Sequence, residues 1–438
     1  MSVSGQSDSQ AVTVAITVLC VIWWVFEPIP IPATSLLPLA LLPMAGIITS
    51  AQVGQSYGHP LILLLLGGFI LSTALEKNEA HQRIALLMVR LFGGSSSRRL
   101  VFGFMAASAL LSMWISNTAT TLMLLPVALA VMKDSKDPDL PLPLLLGIGY
   151  AASIGGIGTP IGTPPNVIFM GIYEESTGSA VGFAEWMSWG VPVVLVFLPL
   201  VGLWLTRHLH RQETLEMPDI GAWQPREIRV LAIFALTALA WITRREPFGG
   251  WSGALGLPYT NDAMVAFIAV VLLFVVPAQR GSTERLLDWD TANRIPWGML
   301  ILFGAGIAIA QAFNASGLSE SIGEVLSGVA TLPPYLLLLC ICLAVTFLTE
   351  TTRNTATTTL LMPILAATAI AAAVDPRVFM VPAAMSASCA FMLPVATAPN
   401  VIVFSSGRIP IDAMAREGSA LNLIGAFVIS LLCYLLVS

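Results

Sequence analysis

The chain has 438 residues, 56% of them apolar and only 10% charged, with a formal net charge of −5. Ordinary soluble domains carry about 25% charged residues, so a water-soluble fold is excluded. The basic residues form no block that would suit nucleic acid, which leaves lipid and small solutes as the partners implied. The five cysteines (Cys20, Cys340, Cys342, Cys389, Cys433) lie in apolar stretches without zinc or disulfide spacing, and the four histidines (His59, His81, His208, His210) sit in polar connections. Neither a structural metal nor a cofactor is expected from them.

The first ten residues are polar and lack the basic start of a cleavable signal, so a short free tail is expected over 1–10. A bilayer core about 30 Å thick takes about 20 apolar residues per helix. Spans are predicted at 11–28, 31–47, 60–78, 141–173, 188–206, 228–243, 263–278, 295–314, 378–405 and 420–437. Two further apolar segments, 98–132 and 333–372, carry a polar Ser/Asn/Thr cluster at the midpoint. Such a segment suits a re-entrant helical hairpin, because non-helical backbone at membrane depth survives only where it is buried or lines a cavity. Two spans joined by a short loop are the other reading.

Charge placement favours the hairpins. If they make no net crossing, sixteen of the twenty Lys and Arg residues fall on one side, and only Arg244, Arg245 and Arg377 on the other. The first side is then cytoplasmic, both termini face outward, residues 207–227 form a cytoplasmic linker, and a bacterial-type inner membrane is the expected location.

The hairpin tips repeat each other. Ser116-Asn117-Thr118-Ala119-Thr120-Thr121 precedes Leu125-Pro126, and Arg353-Asn354-Thr355-Ala356-Thr357-Thr358 precedes Met362-Pro363, with 237 residues between the asparagines. Gly162-Thr163-Pro164-Pro165-Asn166 is matched by Ala396-Thr397-Ala398-Pro399-Asn400 at a separation of 234. Gly67-Gly68 and Gly304-Ala305-Gly306 align at the offset of 237. The chain therefore reads as an all-α polytopic membrane protein of two repeats, 11–206 and 228–438, each with five transmembrane helices plus one re-entrant hairpin. Five crossings are odd, so the second repeat enters from the opposite side. That is an inverted-topology repeat, in which a transporter's site lies at broken helices near the midplane.

Each break can do chemistry. Proline removes a backbone donor and blocks the preceding turn, and the carbonyl oxygens freed there, with Ser, Thr and Asn side chains, make a neutral oxygen cage for a hard monovalent cation. The starts of the half-helices offer unpaired N–H groups and a positive partial charge that suit a carboxylate. Packing of small residues with interhelical hydrogen bonds is the plainer explanation of Ser-Asn-Thr. The recurrence of tip and break in both halves favours the site.

On Ser116-Asn117-Thr118, Asn354-Thr355, the run 162–166 and the run 394–400, the chain resembles the divalent anion/sodium symporters, which include sodium-coupled dicarboxylate, citrate and sulfate carriers. The resemblance implies one sodium among Ser112, Ser116, Asn117 and Gly162, and a second among Thr349, Thr352, Asn354 and Ala396. It implies substrate contacts from Asn117, Thr118, Thr163, Asn354, Thr355 and Thr397. It further implies a homodimer with elevator-type scaffold and transport domains, the latter made of the hairpins and spans 141–173, 188–206, 378–405 and 420–437. The expected function is sodium-coupled import of C4-dicarboxylates such as succinate, fumarate or malate. Sodium-independent exchange of a dicarboxylate or citrate, or sulfate carriage, are the alternatives.

The chain departs from that family in having ten predicted crossings, Thr-Ala-Pro in the second break, and Arg353 where Ser is usual. A charge at membrane depth is costly unless paired or wetted. Either Arg353 pairs with Glu350, three residues earlier, or its guanidinium replaces the second sodium or touches a substrate carboxylate. An enzyme is not indicated, since Glu350 is the sole carboxylate at that depth and no nucleophile and base accompany it. A channel is disfavoured by the two-fold inverted pattern.

Overall fold

The computed structural model describes residues 3–92, 96–133, 135, 137–209, 221–245, 249–326 and 333–437. Lys136, His210, Arg211 and the linker stretch 210–220 lie outside them. Helices account for the regular structure, and no strand occurs among the described residues. The first half runs through α1 (Val3–Phe26), α2 (Ile31–Thr34), α3 (Leu37–Met44), α4 (Ser50–Tyr57), α5 (Pro60–Lys77) and α6 (Ala80–Phe92). It continues with α7 (Ser97–Ser112), α8 (Asn117–Lys133), α9 (Pro141–Gly156), α10 (Pro164–Thr177) and α11 (Phe183–Leu205). The second half has α12 (Pro225–Ile242), α13 (Gly250–Ala254), α14 (Asp262–Val275), α15 (Trp289–Ala292), α16 (Trp297–Ser316) and α17 (Leu318–Leu326). It ends with α18 (Pro334–Leu348), α19 (Asn354–Ala371), α20 (Arg377–Ser386), α21 (Ala398–Phe404) and α22 (Ile411–Leu436).

The segments 98–132 and 333–372 are thus the helix pairs α7/α8 and α18/α19, and the segments 141–173 and 378–405 are each split in two, into α9/α10 and α20/α21. The expected tail needs correcting. From Val3 onward it belongs to α1, and Gln10 donates to the Gly317 carbonyl at 2.9 Å and the Ser321 hydroxyl at 3.0 Å. Polar side chains facing a neighbouring helix leave no apolar signature, so sequence pattern could not find those turns. Likewise α22 begins at Ile411, ahead of the apolar run, because its first turns carry Asp412, Arg416 and Glu417.

Among the described residues, six helical stretches are long and apolar enough to cross a membrane: Asp8–Phe26, Ser50–Lys77 (α4 and α5 together), Phe183–Leu205, Trp297–Ser316, Asn354–Ala371 and Ile411–Leu436. Other apolar helices, such as Asp262–Val275 and Pro141–Gly156, are shorter. Large apolar side chains stand exposed along the outer helices, among them Leu236, Leu239, Ile268, Val271, Val275, Leu423 and Phe427. Water would not tolerate such continuous faces. Lipid does, and the chain is an integral membrane protein.

Ends of helices are set locally. Glu27 adopts a left-handed backbone (φ 47°) just after α1, and Pro28 and Pro30 follow, neither of which continues a helix. Gly317 closes α16 with φ 74°, a conformation that glycine adopts without steric cost. The tertiary arrangement is reciprocal: α10 from the first half packs on α19 and α20, while α21 from the second packs on α8 and α9. Tyr150 of α9 ties the halves further, its hydroxyl donating to the Phe391 carbonyl at 2.7 Å.

Candidate functional site

The turns between α7 and α8 and between α18 and α19 each join a buried hydroxyl to an asparagine. Ser112, the last residue of α7, donates to Oδ1 of Asn117, the first residue of α8. Between α18 and α19, Thr349 donates to Oδ1 of Asn354 at 2.7 Å and lies 3.1 Å from the Ala387 carbonyl. Neither Ser112 nor Thr349 has any solvent exposure.

The breaks are built alike. The Asn166 amide donates to the carbonyls of Gly156 (2.9 Å) and Thr159 (2.7 Å), and the Asn400 amide donates to those of Ala390 (2.9 Å) and Leu393 (3.0 Å). Donor and both acceptors correspond at one separation of 234 residues. A helix that stops leaves carbonyls without partners, and here an amide from the next half-helix takes two of them. That next helix starts with proline at its first turn, where a missing N–H is no loss.

Glycine lets the first break close on the first tip. A Cβ on Gly162 would stand 2.5 Å from the Gly156 carbonyl oxygen. A Cβ on Gly156 would stand 3.0 Å from both Asn117 Oδ1 and the Gly162 oxygen, and 3.1 Å from Cβ of Thr163. Ser112, Asn117, Gly162 and Thr163 therefore converge around Gly156, and the atoms they offer are neutral oxygens. Such a set fits a hard monovalent cation, whose charge needs oxygen dipoles in place of its hydration shell.

Other predicted residues stand differently. Ser116 is exposed and accepts from the Ala119 N–H at 3.1 Å, capping α8, and Thr118 beside it is exposed too. Thr352 turns back on its own hairpin, 2.5 Å from the Thr357 hydroxyl and donating to the Leu348 carbonyl at 2.9 Å. The carbonyl of Thr355 accepts from the Thr359 hydroxyl at 2.8 Å. Ala396 donates its N–H to the Leu393 carbonyl at 3.2 Å, and Thr397 caps α21 by accepting from the Asn400 N–H at 3.3 Å. Thr163, its counterpart at the start of α10, makes no side-chain cap and keeps its hydroxyl uncommitted in that respect.

The expected pairing of Arg353 with Glu350 does not occur. Arg353 sits with extended backbone (φ −71°, ψ 137°) at the cap of α19, so the two residues share no helical turn. Its guanidinium instead meets Glu27, with 2.5 Å between Nε and Oε1, on a side chain 62% exposed. Glu350 turns inward and is 4% exposed. Its carboxylate accepts from the N–H groups of Phe391 (2.7 Å), Met392 (2.9 Å) and Leu393 (3.0 Å), and from the Asn422 amide (2.7 Å). Successive N–H groups make a natural anion nest. The first half achieves the equivalent link with a hydroxyl, Thr159 donating to the Met113 carbonyl.

Sequence reasoning did not single out Gly156, Thr159, Glu27 or Asn422. The offset of 234 would have found Thr159 opposite Leu393; for Glu27 and Asn422 no local signal exists.

With this geometry in place, the citrate transporter (CitMHS) family profile matches residues 21–380. The chain belongs to the citrate transporter family. Among members similar to it, the sodium-dependent dicarboxylate transporter SdcS of Staphylococcus saprophyticus is 41% identical over 455 residues, covering 98% of this chain and 87% of that relative. The protein of the same name from Staphylococcus aureus is 41% identical over 443 residues, covering 96% and 84%. In fold, this citrate transporter family chain is similar to the solved YdaH transporter of Alcanivorax borkumensis, with a TM-score of 0.61, 14% identity, and 90% and 87% of the two chains covered. The MtrF structure of Neisseria gonorrhoeae gives a TM-score of 0.59 at 15% identity, covering 97% and 94%. Members of the family are transporters, not enzymes.

Proposed function

We propose that the chain imports C4-dicarboxylates by sodium symport, with alternating access through two inverted repeats. The observation that carries this reading is the hydroxyl–asparagine pair repeated at both tips, Ser112 with Asn117 and Thr349 with Asn354, each beside a broken helix. Four helices start among these residues, α8, α10, α19 and α21, and a helix N-terminus favours a carboxylate. Neutral oxygens hold sodium next to it, so cation and anion neutralise each other. That adjacency is the coupling. The name carried by the Staphylococcus relatives supports the same cation and substrate class.

In this reading the first sodium lies among Ser112, Asn117, Gly162 and the Gly156 carbonyl, and the second near Thr349, Asn354 and Ala396. Thr163 and Thr397 stand at the half-helix starts where they can meet the two carboxylates. Repeats 11–206 and 228–438 would each carry one hairpin, and a homodimer would hold its scaffold helices fixed while the hairpin domain moves. The matching hydrogen bonds of Asn166 and Asn400 support two related halves. Exchange without sodium drew its support from Arg353, and the Glu27 partner removes it.

The test is uptake of labelled succinate into proteoliposomes with and without an inward sodium gradient, in competition with malate, fumarate, citrate and sulfate. Sodium-driven uptake blocked by malate and fumarate is expected. Competition by sulfate alone would refute the C4-dicarboxylate assignment.

A further inference from the structure

Away from the hairpin tips, a cavity of about 800 Å³ opens where the loop before α9, the end of α11 and the start of α22 meet. Its wall carries Arg207, His208, Arg408 and Arg416 against Asp139 and Glu417. One acid and one base are already spent on each other. Arg207 donates both terminal nitrogens to Glu417, at 2.8 Å each, and lies 4.3 Å above the Trp204 ring. Arg416 is 72% exposed and stands 3.7 Å from the same carboxylate, and Arg408 is likewise exposed. The remaining balance is two guanidinium groups and His208 facing Asp139.

Two helix starts add to that field. Helix α22 has no side-chain cap at Pro410. Its first intrahelical bond of that turn is from the Met414 N–H to the Pro410 carbonyl at 3.0 Å, so the N–H groups of Ile411, Asp412 and Ala413 precede the helical ladder. Asp412 lies in that turn, yet it is exposed and outside the cavity wall. Helix α9 also lacks a side-chain cap, at Leu140. Its Pro141 and Pro143 carry no N–H, so it contributes Leu142 N–H and the positive end of its dipole. Both termini, Pro141 to Pro143 and Pro410 with Ala413, line the cavity.

We propose that this cavity binds a phosphate-bearing anion. A tetrahedral anion has enough oxygens to accept from the α22 N–H groups and from the forks of Arg408 and Arg416 at once. The volume exceeds what a bare ion needs, and Leu142, Leu205 and Leu209 give an apolar wall for the carbon of an ester. The phosphate can belong to a lipid headgroup or to a soluble ion. This site is independent of the transport reading, because none of its residues belongs to the tips or breaks.

Two probes test it on the purified full chain: vesicles of phosphatidylcholine with added phosphatidylglycerol, read by lipid retention in native mass spectrometry, and inorganic phosphate, read by thermal shift. Wild type is expected to retain phosphatidylglycerol over phosphatidylcholine, or to be stabilised by phosphate, and Arg408→Gln with Arg416→Gln is expected to weaken that by about tenfold. Retention of the lipid alone assigns a headgroup, and response to phosphate alone assigns a soluble anion. The Asn117→Ala variant separates the cavity from the transport site, and a phosphate effect lost in it would overturn the proposal. So would binding of neither probe, or equal binding in the double variant.

Discussion

Arg353 and Glu27 join the start of α19 to the end of α1, with 2.5 Å between Nε and Oε1, and the arginine side chain is 62% exposed. A guanidinium so placed serves neither the Thr349–Asn354 group nor Glu350.

The first prediction follows from that placement. Arg353→Ser should leave the sodium Hill slope of uptake unchanged. An exposed ion pair contributes about 0.2–1 kcal/mol, so the apparent melting temperature should fall only slightly. A steeper slope in the variant would mean that the guanidinium stands in for a cation.

Glu350 should behave in the opposite way. Its carboxylate takes four donors at 2.7–3.0 Å while 4% exposed. Glu350→Ala leaves those donors stranded, at a cost of about 1–3 kcal/mol or more. Scanning fluorimetry in detergent should show a clear loss of thermal stability, with Glu350→Gln intermediate. A melting temperature equal to wild type would contradict the nest.

Asn117→Ala and Asn354→Ala should each abolish sodium-driven uptake while the chain stays folded. Each amide oxygen is the partner of a buried hydroxyl and, in the proposed site, serves cation and substrate together. Normal uptake in either variant, measured in proteoliposomes, would remove that residue from the site.

Gly162→Ala probes the oxygen cage by shape alone. The added methyl would stand 2.5 Å from the Gly156 carbonyl oxygen, so the break must open. The sodium concentration for half-maximal uptake should rise by about tenfold or more, as lost coordination geometry weakens cation binding. An unchanged value would place the cation elsewhere.

A charge pair at the end of α5 gives a control, its carboxylate, Asp288, lying beyond the membrane-crossing stretches. Lys77 Nζ lies 2.7 Å from Asp288, and the hydrogen bond from Lys77 pulls that carboxyl down to about 2. A lowered carboxyl contributes stability above the usual carboxylate range and loses it only as pH falls through about 2. Asp288→Asn should therefore lower the melting temperature by the same small amount at about pH 6 and about pH 8. A difference that grows with pH in that window would show another group at work.

The interruptions between α7 and α8, α9 and α10, α18 and α19, and α20 and α21 are legible in the sequence because their Ser/Asn/Thr and Gly/Thr/Pro/Asn clusters recur at nearly the same offset. Asn166 and Asn400 were visible as a motif, but their grip on two carbonyls each was not. Pairing of Arg353 with Glu350 required one helical turn through residues 350–353, where the backbone of Arg353 is in fact extended. Glu27 lies 326 positions from Arg353, beyond any local pattern. Gln10 hid for a similar reason, its partners being Gly317 and Ser321.

The crossed seating of α10 on α19 and of α21 on α8 bears on what a single half could ever be. Each half covers part of its own helix pair, α9 on α7 and α8 and α20 on α18 and α19, and the other half supplies the rest, α21 on α8 and α10 on α19. An isolated half would leave bare the flank of α8 that α21 covers, or the flank of α19 that α10 covers. The two halves are closed by each other.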